Sequence, residues 1–392
     1  MLRSLYSGIS GLRAHQTMLD VTGNNIANVN TAGFKASSTQ FQDTLSQMTQ
    51  GASAPQGESG GSNPAQIGLG VRVAGVSTNF AQGSSQSTGR ATDMMISGDG
   101  FFVTSKGGQQ LFTRAGAFSP DAAGQLVSPD GGILQGWTAV SGVVNTGGPV
   151  SGITLNANNL VPANATSSVT VDGNLPSDGA ENTPLERVVK VYNASGAERN
   201  LTLTFTRAGN DWTVTGNDGS GATTTTLTQD ASGNLTPANA TLAVGGGITV
   251  NLGGISAFAG MTSLAVSGQD GSAAGKLESY TLGNDGSVIG SFSNGVKQVL
   301  AKIALAKFTN PSGLEKAGGS SYVATANSGG VQLGGAGDAG IGSLAAGSLE
   351  MSNVDLSQEF TNLIVAQRGF QANARIITTS DEVLQELGNL KR

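Results

Sequence analysis

The stretch 352–392 constrains this chain more than any other. Leu356, Phe360, Leu363, Phe370, Ala374, Ile377 and Leu384 follow one another at helical spacing, with Gln367 and Asp381 in the skipped positions. That is an a/d seam sustained over about four heptads, and no proline interrupts it. Asp355, with Gln358 three residues on, predicts a capping box at its start. A helix of this length extends about 50 Å at ~1.5 Å per residue. Its narrow apolar stripe needs a partner, and the opposite end of the chain supplies one. Leu2, Leu5, Ile9, Leu12, Leu19 and Ile26 obey the same spacing rule, with Gln16 and Gly23 in the remaining seam positions. Two terminal helices pairing as a coiled coil are therefore expected. A strict a/d seam is narrower than the face that packs on a globular core. Two such helices, paired, would still expose much of themselves, so copies from other subunits are the economical cover.

Between these ends the chain is of another kind. Its 392 residues exceed one typical domain. With 60 glycines and only 12% charged and 5% aromatic residues, it should be turn-rich with small cores. A net charge of −6, with 20 scattered basic residues, speaks against a nucleic-acid surface. Cysteine is absent, which excludes disulfides, thiolate metal sites and a thiol nucleophile. No apolar run approaches ~18 residues, so no membrane insertion is expected. The N-terminus lacks the apolar core of a cleaved signal peptide, so any passage out of the cytoplasm should use another route.

The first helix should end within Asn24-Asn25-Ile26-Ala27-Asn28-Val29-Asn30-Thr31-Ala32-Gly33-Phe34-Lys35. Asn and Thr compete for backbone hydrogen bonds there, and Gly33 can take the left-handed conformation of a helix stop. Three Asn within five residues are costly in a helix unless their amides bond something fixed. From Val71 the pattern turns to strands. Met94–Ile96 and Phe101–Val103 flank Gly98-Asp99-Gly100, and Pro129–Gly132 reads as a tight turn. Farther on, Leu201, Leu203 and Phe205 alternate with threonines, and with Arg187–Tyr192 and Trp212–Thr215 they predict a three-stranded meander. Asp-Gly-Ser recurs after Asn217, Gln269 and Asn284 and reads as hairpin turns. The chain is thus mainly β with α-helical termini, and nested. Terminal helices occupy 1–28 and 353–392, and extended linkers 29–70 and 326–352. An inner β domain takes 71–144 and 276–325, and an outer β domain is inserted at 145–275.

Catalytic chemistry finds little to work with. His15 is the single histidine, and it sits mid-helix. Gly57-Glu58-Ser59-Gly60-Gly61 has nucleophile-elbow spacing without the strand and helix that motif requires. Gly335-Ala336-Gly337-Asp338-Ala339-Gly340 has dinucleotide-fingerprint spacing but no βαβ unit. The Asp-Gly pairs lack the acidic spacing of a calcium loop. Asp381 and Glu382 are adjacent on a helix and diverge. No catalytic, cofactor or metal residues are assigned.

Four motifs in order carry a resemblance. The stretch Asn24–Lys35 resembles the signature of the bacterial flagellar rod and hook axial proteins, with Asn24, Asn25, Ile26, Ala27, Asn28, Asn30, Thr31, Gly33 and Phe34 as its motif residues. Gly98–Val103 and Phe112–Phe118 are similar to internal motifs of that family. Ser352–Ser357 with Ala366–Asn373 resembles its C-terminal segment. The resemblance covers roughly the first 140 and last 110 residues, and the added length at the centre is like that of the hook members.

The resemblance implies a structural subunit, not an enzyme, polymerising with itself into a curved hollow tube around a channel. That tube works as a universal joint passing motor torque from rod to filament. The implied partners are rod, hook cap and hook–filament junction proteins and the flagellar type III export apparatus, with an extracellular location. A rod subunit with an enlarged domain would form a straight tube. A Gly/Thr-rich adhesin would want a secretion signal or anchor.

Overall fold

In the computed structural model, residues 2–55, 57, 60–156, 160–338 and 340–389 are described. Two helices bracket the chain, α1 (Leu2–Ala27) and α2 (Leu356–Asn389), and strands fill most of what lies between. α1 stops where its asparagines turn back on the backbone. The Asn28 side-chain amide donates to the Asn24 carbonyl at 2.9 Å, and Gly33 follows at φ 69°. α2 begins at Leu356, and residues 353–355 lie outside it. The Asp355 carboxylate accepts from the amides of Ser357 and Gln358, at 2.8 and 3.2 Å. The expected capping box is only half made, because the Gln358 side chain donates forward to Asn362 instead of reaching back.

The chain divides into two compact units. The first comprises residues 1–155, 282–288 and 299–392. Its centre is the strand Phe101–Lys106, which forms a hairpin with Gln109–Thr113. It also pairs with Ile133–Val140 and with Leu305–Lys307. Phe101, Phe112, Phe308 and Tyr322 are buried together on this sheet, with the Phe112 and Phe308 rings edge to face at 4.8 Å. Such pairs add about 0.5–1.5 kcal/mol beyond their buried area. Gly98 and Gly100, at φ 108° and 135°, join two strands that do not pair with each other. Met94–Ser97 runs instead beside Ser343–Ala346.

Two segments expected as linkers are strands. Within 29–70, Ser37–Asp43 pairs with Val71–Thr78, and Ser46–Gln50 pairs with Ala65–Gly68. The segment folds back on itself as a long ribbon. Within 326–352, Ser343–Ala346 and Ser348–Glu350 both join ladders of the first unit. Glycine and serine there removed the apolar alternation by which strands are recognised, but left the backbone groups free to pair.

The second unit comprises residues 156–281 and 289–298. The insert expected at 145–275 therefore begins later. Ile153 is fully buried, and its amide bonds the Leu134 carbonyl of the first unit. The expected three-stranded meander extends to five antiparallel strands: Leu185–Tyr192, Glu198–Ala208, Asp211–Asn217, Ala222–Gln229 and Leu235–Thr236. Leu201, Leu203, Phe205, Trp212 and Val214 point inward to meet Val169, Val171, Val250 and Leu252 of a four-stranded sheet. The intervening threonines face outward, as period two requires. Asn217–Ala222 turns as a hairpin, whereas Gln269–Ser272 does not. The Asp270 carboxylate accepts from the amides of Ser167 and Ser168 at 2.9 Å each, tying two distant segments together.

Candidate subunit interface

α1 and α2 pack against each other, and the paired positions run in opposite directions. Gly8 faces Ile376 and Ile377, Gly11 faces Asn373, His15 faces Gly369, and Asn25 bonds Glu359 at 3.1 Å. The helices are antiparallel, and glycines lie along their contact. The contact uses Gly8, Gly11, His15 and Asn25 on one side and Glu359, Gly369, Asn373 and Ile376 on the other. Apart from the seam residue Ile377, which also meets Gly8, each position is displaced by one residue from the seam read in the sequence. One residue is a rotation of about 100°, so the stripes turn aside. Glycine permits the close approach: a Cβ on Gly369 would sit 2.5 Å from the His15 ring.

The displaced stripes are left partly bare. Leu5, Leu12, Leu19, Ile26, Leu363, Ala374 and Ile377 flank the contact and are half-buried. Ile9, Leu356, Phe360, Phe370 and Leu384 are exposed, Phe360 by 52%. Tyr6, Ile364, Val365, Ile376 and Val383, outside the expected seam, are exposed as well. The Leu2 side chain lies outside the described residues. Gln16, Gly23, Gln367 and Asp381 all face solvent. Beside α1 lies a groove of about 440 Å³ lined by Tyr6, Ile9, Arg13, Thr44, Val71 and Val73.

A buried polar knot fastens this helix pair to the β core. Asn25 reads the backbone of Ser37 as a strand would, donating to its carbonyl at 2.7 Å and accepting from its amide at 3.0 Å. Asn28 accepts the Thr31 hydroxyl. Gly33 donates its amide to the Glu350 carbonyl, and a Cβ there would overlap the Ala115 backbone at 2.3 Å. Phe34 is half-buried, with the Lys316 ammonium 5.5 Å from its ring. Lys35 and Glu350 are both fully buried and pair at 2.6 Å. Glu350 also accepts from the Gly83 amide, and Arg114 reaches its other oxygen at 3.4 Å. Asn353 accepts from the Ala36 amide and donates to the carbonyls of Asn79 and Ala81. Of the remaining motif residues, Ile26 is half-buried, and Asn24, Ala27 and Asn30 are exposed.

Burial pushes the Lys35 ammonium below its ordinary pKa, with Glu350 pulling it back up. Burial also lowers Arg114, again against Glu350. The neighbouring Tyr322 phenol is pushed up to about 12 by burial. The charges thus hold one another in a dry environment, where removing one partner is far costlier than at a surface. Sequence reasoning missed Glu350, Arg114 and Asn353 as members of this knot. The signal was present: Glu350 is the single charged residue between Asp338 and Asp355.

The spacing motifs considered for chemistry have no matching context. Glu58 and Ser59 lie outside the described residues, as does Ala339. The strand Gln332–Gly334 leads into turns and another strand, not a helix. Among the described residues no His, Cys, Asp or Glu cluster could hold a metal. No helix among them is long and apolar enough to cross a membrane.

Comparison with known proteins gives three family matches, in the order of the motifs. Residues 5–35 match the model "Flagella basal body rod protein". Residues 95–175 match "Flagellar hook protein FlgE/F/G D1 domain". Residues 345–390 match "Flagellar basal body rod FlgEFG protein C-terminal". The chain is 41% identical to the flagellar hook protein FlgE of Borreliella burgdorferi and 37% identical to that of Treponema pallidum. Both comparisons cover 100% of each chain. In three dimensions it resembles the crystal structure of Helicobacter pylori flagellar hook protein FlgE2, at a TM-score of 0.50 and 15% identity, over 68% of this chain and 100% of that one. This last likeness speaks to the fold alone.

Proposed function

This chain belongs to the flagellar hook and basal-body rod protein family, and on that premise we propose that it is the repeating subunit of a flagellar hook. Full-length identity of 41% and 37% to two hook proteins, against 34% to the flagellar basal-body rod protein FlgG of Bacillus subtilis over the same full length, supports the hook over a rod or an adhesin. Copies associate through the apolar faces that α1 and α2 leave uncovered, forming the inner wall of a tube with the β units outside. The partners are further copies, rod, cap and hook–filament junction proteins, and the type III export apparatus. The site of action is the external flagellum. The tube serves as a universal joint, bending as it passes torque to the filament.

One observation carries this reading. The two helices satisfy each other through glycines, yet still present Ile9, Phe360, Phe370 and Leu384 to water. Large apolar side chains left exposed in this number on one helix pair mark an interaction face. The test is polymerisation of the purified protein followed by electron microscopy. Curved tubes are expected, and straight ones would favour a rod. Phe360→Ser with Phe370→Ser should abolish tubes while leaving the monomer's melting temperature unchanged. Normal tubes from that variant would refute the assigned face.

A further inference from the structure

Lys35 and Lys316 are both pushed by burial below the ordinary lysine pKa, and they differ in access. Lys35 is sealed, paired with Glu350 at 2.6 Å with neither side chain exposed. Lys316 is an exposed residue of the strand Glu315–Gly318. Its ammonium donates to the Ser37 hydroxyl at 2.8 Å and lies 5.5 Å from the centre of the Phe34 ring. It forms no ion pair among the described residues. A ring face attracts a cation, but desolvation is the stronger effect here and disfavours the charged form.

Lys316 lines a cavity of about 480 Å³, within the range of roughly 300–1,000 Å³ common for small-molecule pockets. Phe34, Ala115, Ala117, Pro129 and Tyr322 give it apolar walls. Asp130 lies on the same lining, but it is already engaged by Lys106 at 3.7 Å and by the Ser128 hydroxyl at 2.5 Å. The cavity thus joins an accessible amine, without a carboxylate to hold its proton, to aromatic and aliphatic surface. A desolvated lysine of this kind is a nucleophile.

We propose that Lys316 is an amine-modification site, at which the cavity admits a small aromatic aldehyde and the lysine nitrogen takes it up as an imine. The neutral nitrogen attacks the carbonyl carbon and forms the C–N bond. Its two protons pass to the carbonyl oxygen, which leaves as water, so neither an oxidant nor a reductant is needed. The aromatic ring of the adduct lies between the Asn24–Lys35 stretch and the β core, since Asn28 and Phe34 line the cavity from one side and Tyr322 from the other.

The full-length protein is incubated with pyridoxal near neutral pH, adducts are trapped with borohydride, and each lysine peptide is followed by mass spectrometry. Lys316 should react at least about fivefold faster than the exposed Lys276 and Lys297, because a lowered pKa raises the neutral fraction. Lys190, whose ammonium is held above its ordinary pKa by Glu198, should react more slowly still, and Lys35 should not react. The advantage of Lys316 should vanish in concentrated urea, where the cavity is gone. Ser320→Asp adds a carboxylate to the cavity lining; it should slow Lys316 at least about threefold and leave Lys276 unchanged. Ala32→Asp should do the same from another part of the lining. Melting of Trp137 fluorescence shows whether each variant is folded, and the urea comparison decides alone where one is not. Equal rates at Lys316 and Lys276, an advantage that persists in urea, or a rate untouched by both added carboxylates would each overturn the proposal.

Discussion

Glu350→Gln is the most informative single change in this molecule. It preserves shape and removes one charge. Lys35 and Arg114 then keep their positive charges in a fully buried place, with no anion between them. Removing one member of a buried ion pair costs about 3–5 kcal/mol, a large part of the ~5–15 kcal/mol that holds a typical domain together. For a unit of this size, about 2–4 °C of melting temperature follows each kcal/mol, so a fall of about 6–20 °C is expected. The chain offers a clean assay. It has two tryptophans, Trp137 in the first unit and Trp212 in the second, both buried. In a Trp212→Phe background, the thermal transition of Trp137 fluorescence reports the first unit alone. In a Trp137→Phe background, Trp212 should report no change on Glu350→Gln. Adding Lys35→Met to Glu350→Gln should recover at least half of the loss, because the stranded cation is then gone and the two changes are not additive. A shift below 2 °C in the single variant would refute the reasoning, because the knot would then have water or another counter-charge available to it.

Three further outcomes are expected. Gly369→Leu should separate α1 from α2, because its Cβ alone would lie 2.5 Å from the His15 ring. Loss of helical circular dichroism, with the β signal retained, would show it. Asn25→Ala should cost about 1–3 kcal/mol, since it leaves the Ser37 amide and carbonyl unsatisfied, and Ser37 should exchange its amide hydrogen faster. The Asp218 carboxyl is held below the ordinary carboxylate range, chiefly by the Ser220 hydroxyl, against the opposing effect of burial and with help from the Ser220 amide and Arg199. Its folded pKa is below the unfolded value of ~3.9. The stability it contributes is therefore fully present above about pH 4 and is lost as pH falls through the folded value. Trp212 melting should drop in that acid range, and Asp218→Asn should flatten the drop.

Some of this architecture was written in local pattern. Alternation at Leu201, Leu203 and Phe205 could mean only a half-buried strand, because period two assigns every other side chain to one face. The heptad spacing from Leu356 to Leu384 and from Leu2 to Ile26 likewise dictated two long amphipathic helices. The asparagines at 24, 25 and 28 announced that their amides bond something other than a helix. Charge and composition shaped the functional reading as well, since a chain with one histidine and no cysteine offers few catalytic constellations.

Other features depended on which distant segments meet. Spacing finds an apolar stripe, but it cannot say whether that stripe or the neighbouring glycine face receives the partner helix. Gly8, Gly11 and Gly369 have no side chain to register in a hydrophobic pattern, yet they let two backbones approach, and that closeness decided the pairing. Residues 37–50 and 65–70 looked like a linker because strand pairing resides in the backbone and needs no apolar alternation. The union of Lys35 with Glu350 spans 315 residues, and nothing local to either predicts it. The sequence by itself determined two amphipathic helices around a β-rich middle, because periodicity is a property of neighbouring residues. Only the tertiary structure decided which face pairs and which stays bare, because that choice rests on backbone proximity and on charges brought together from opposite ends of the chain.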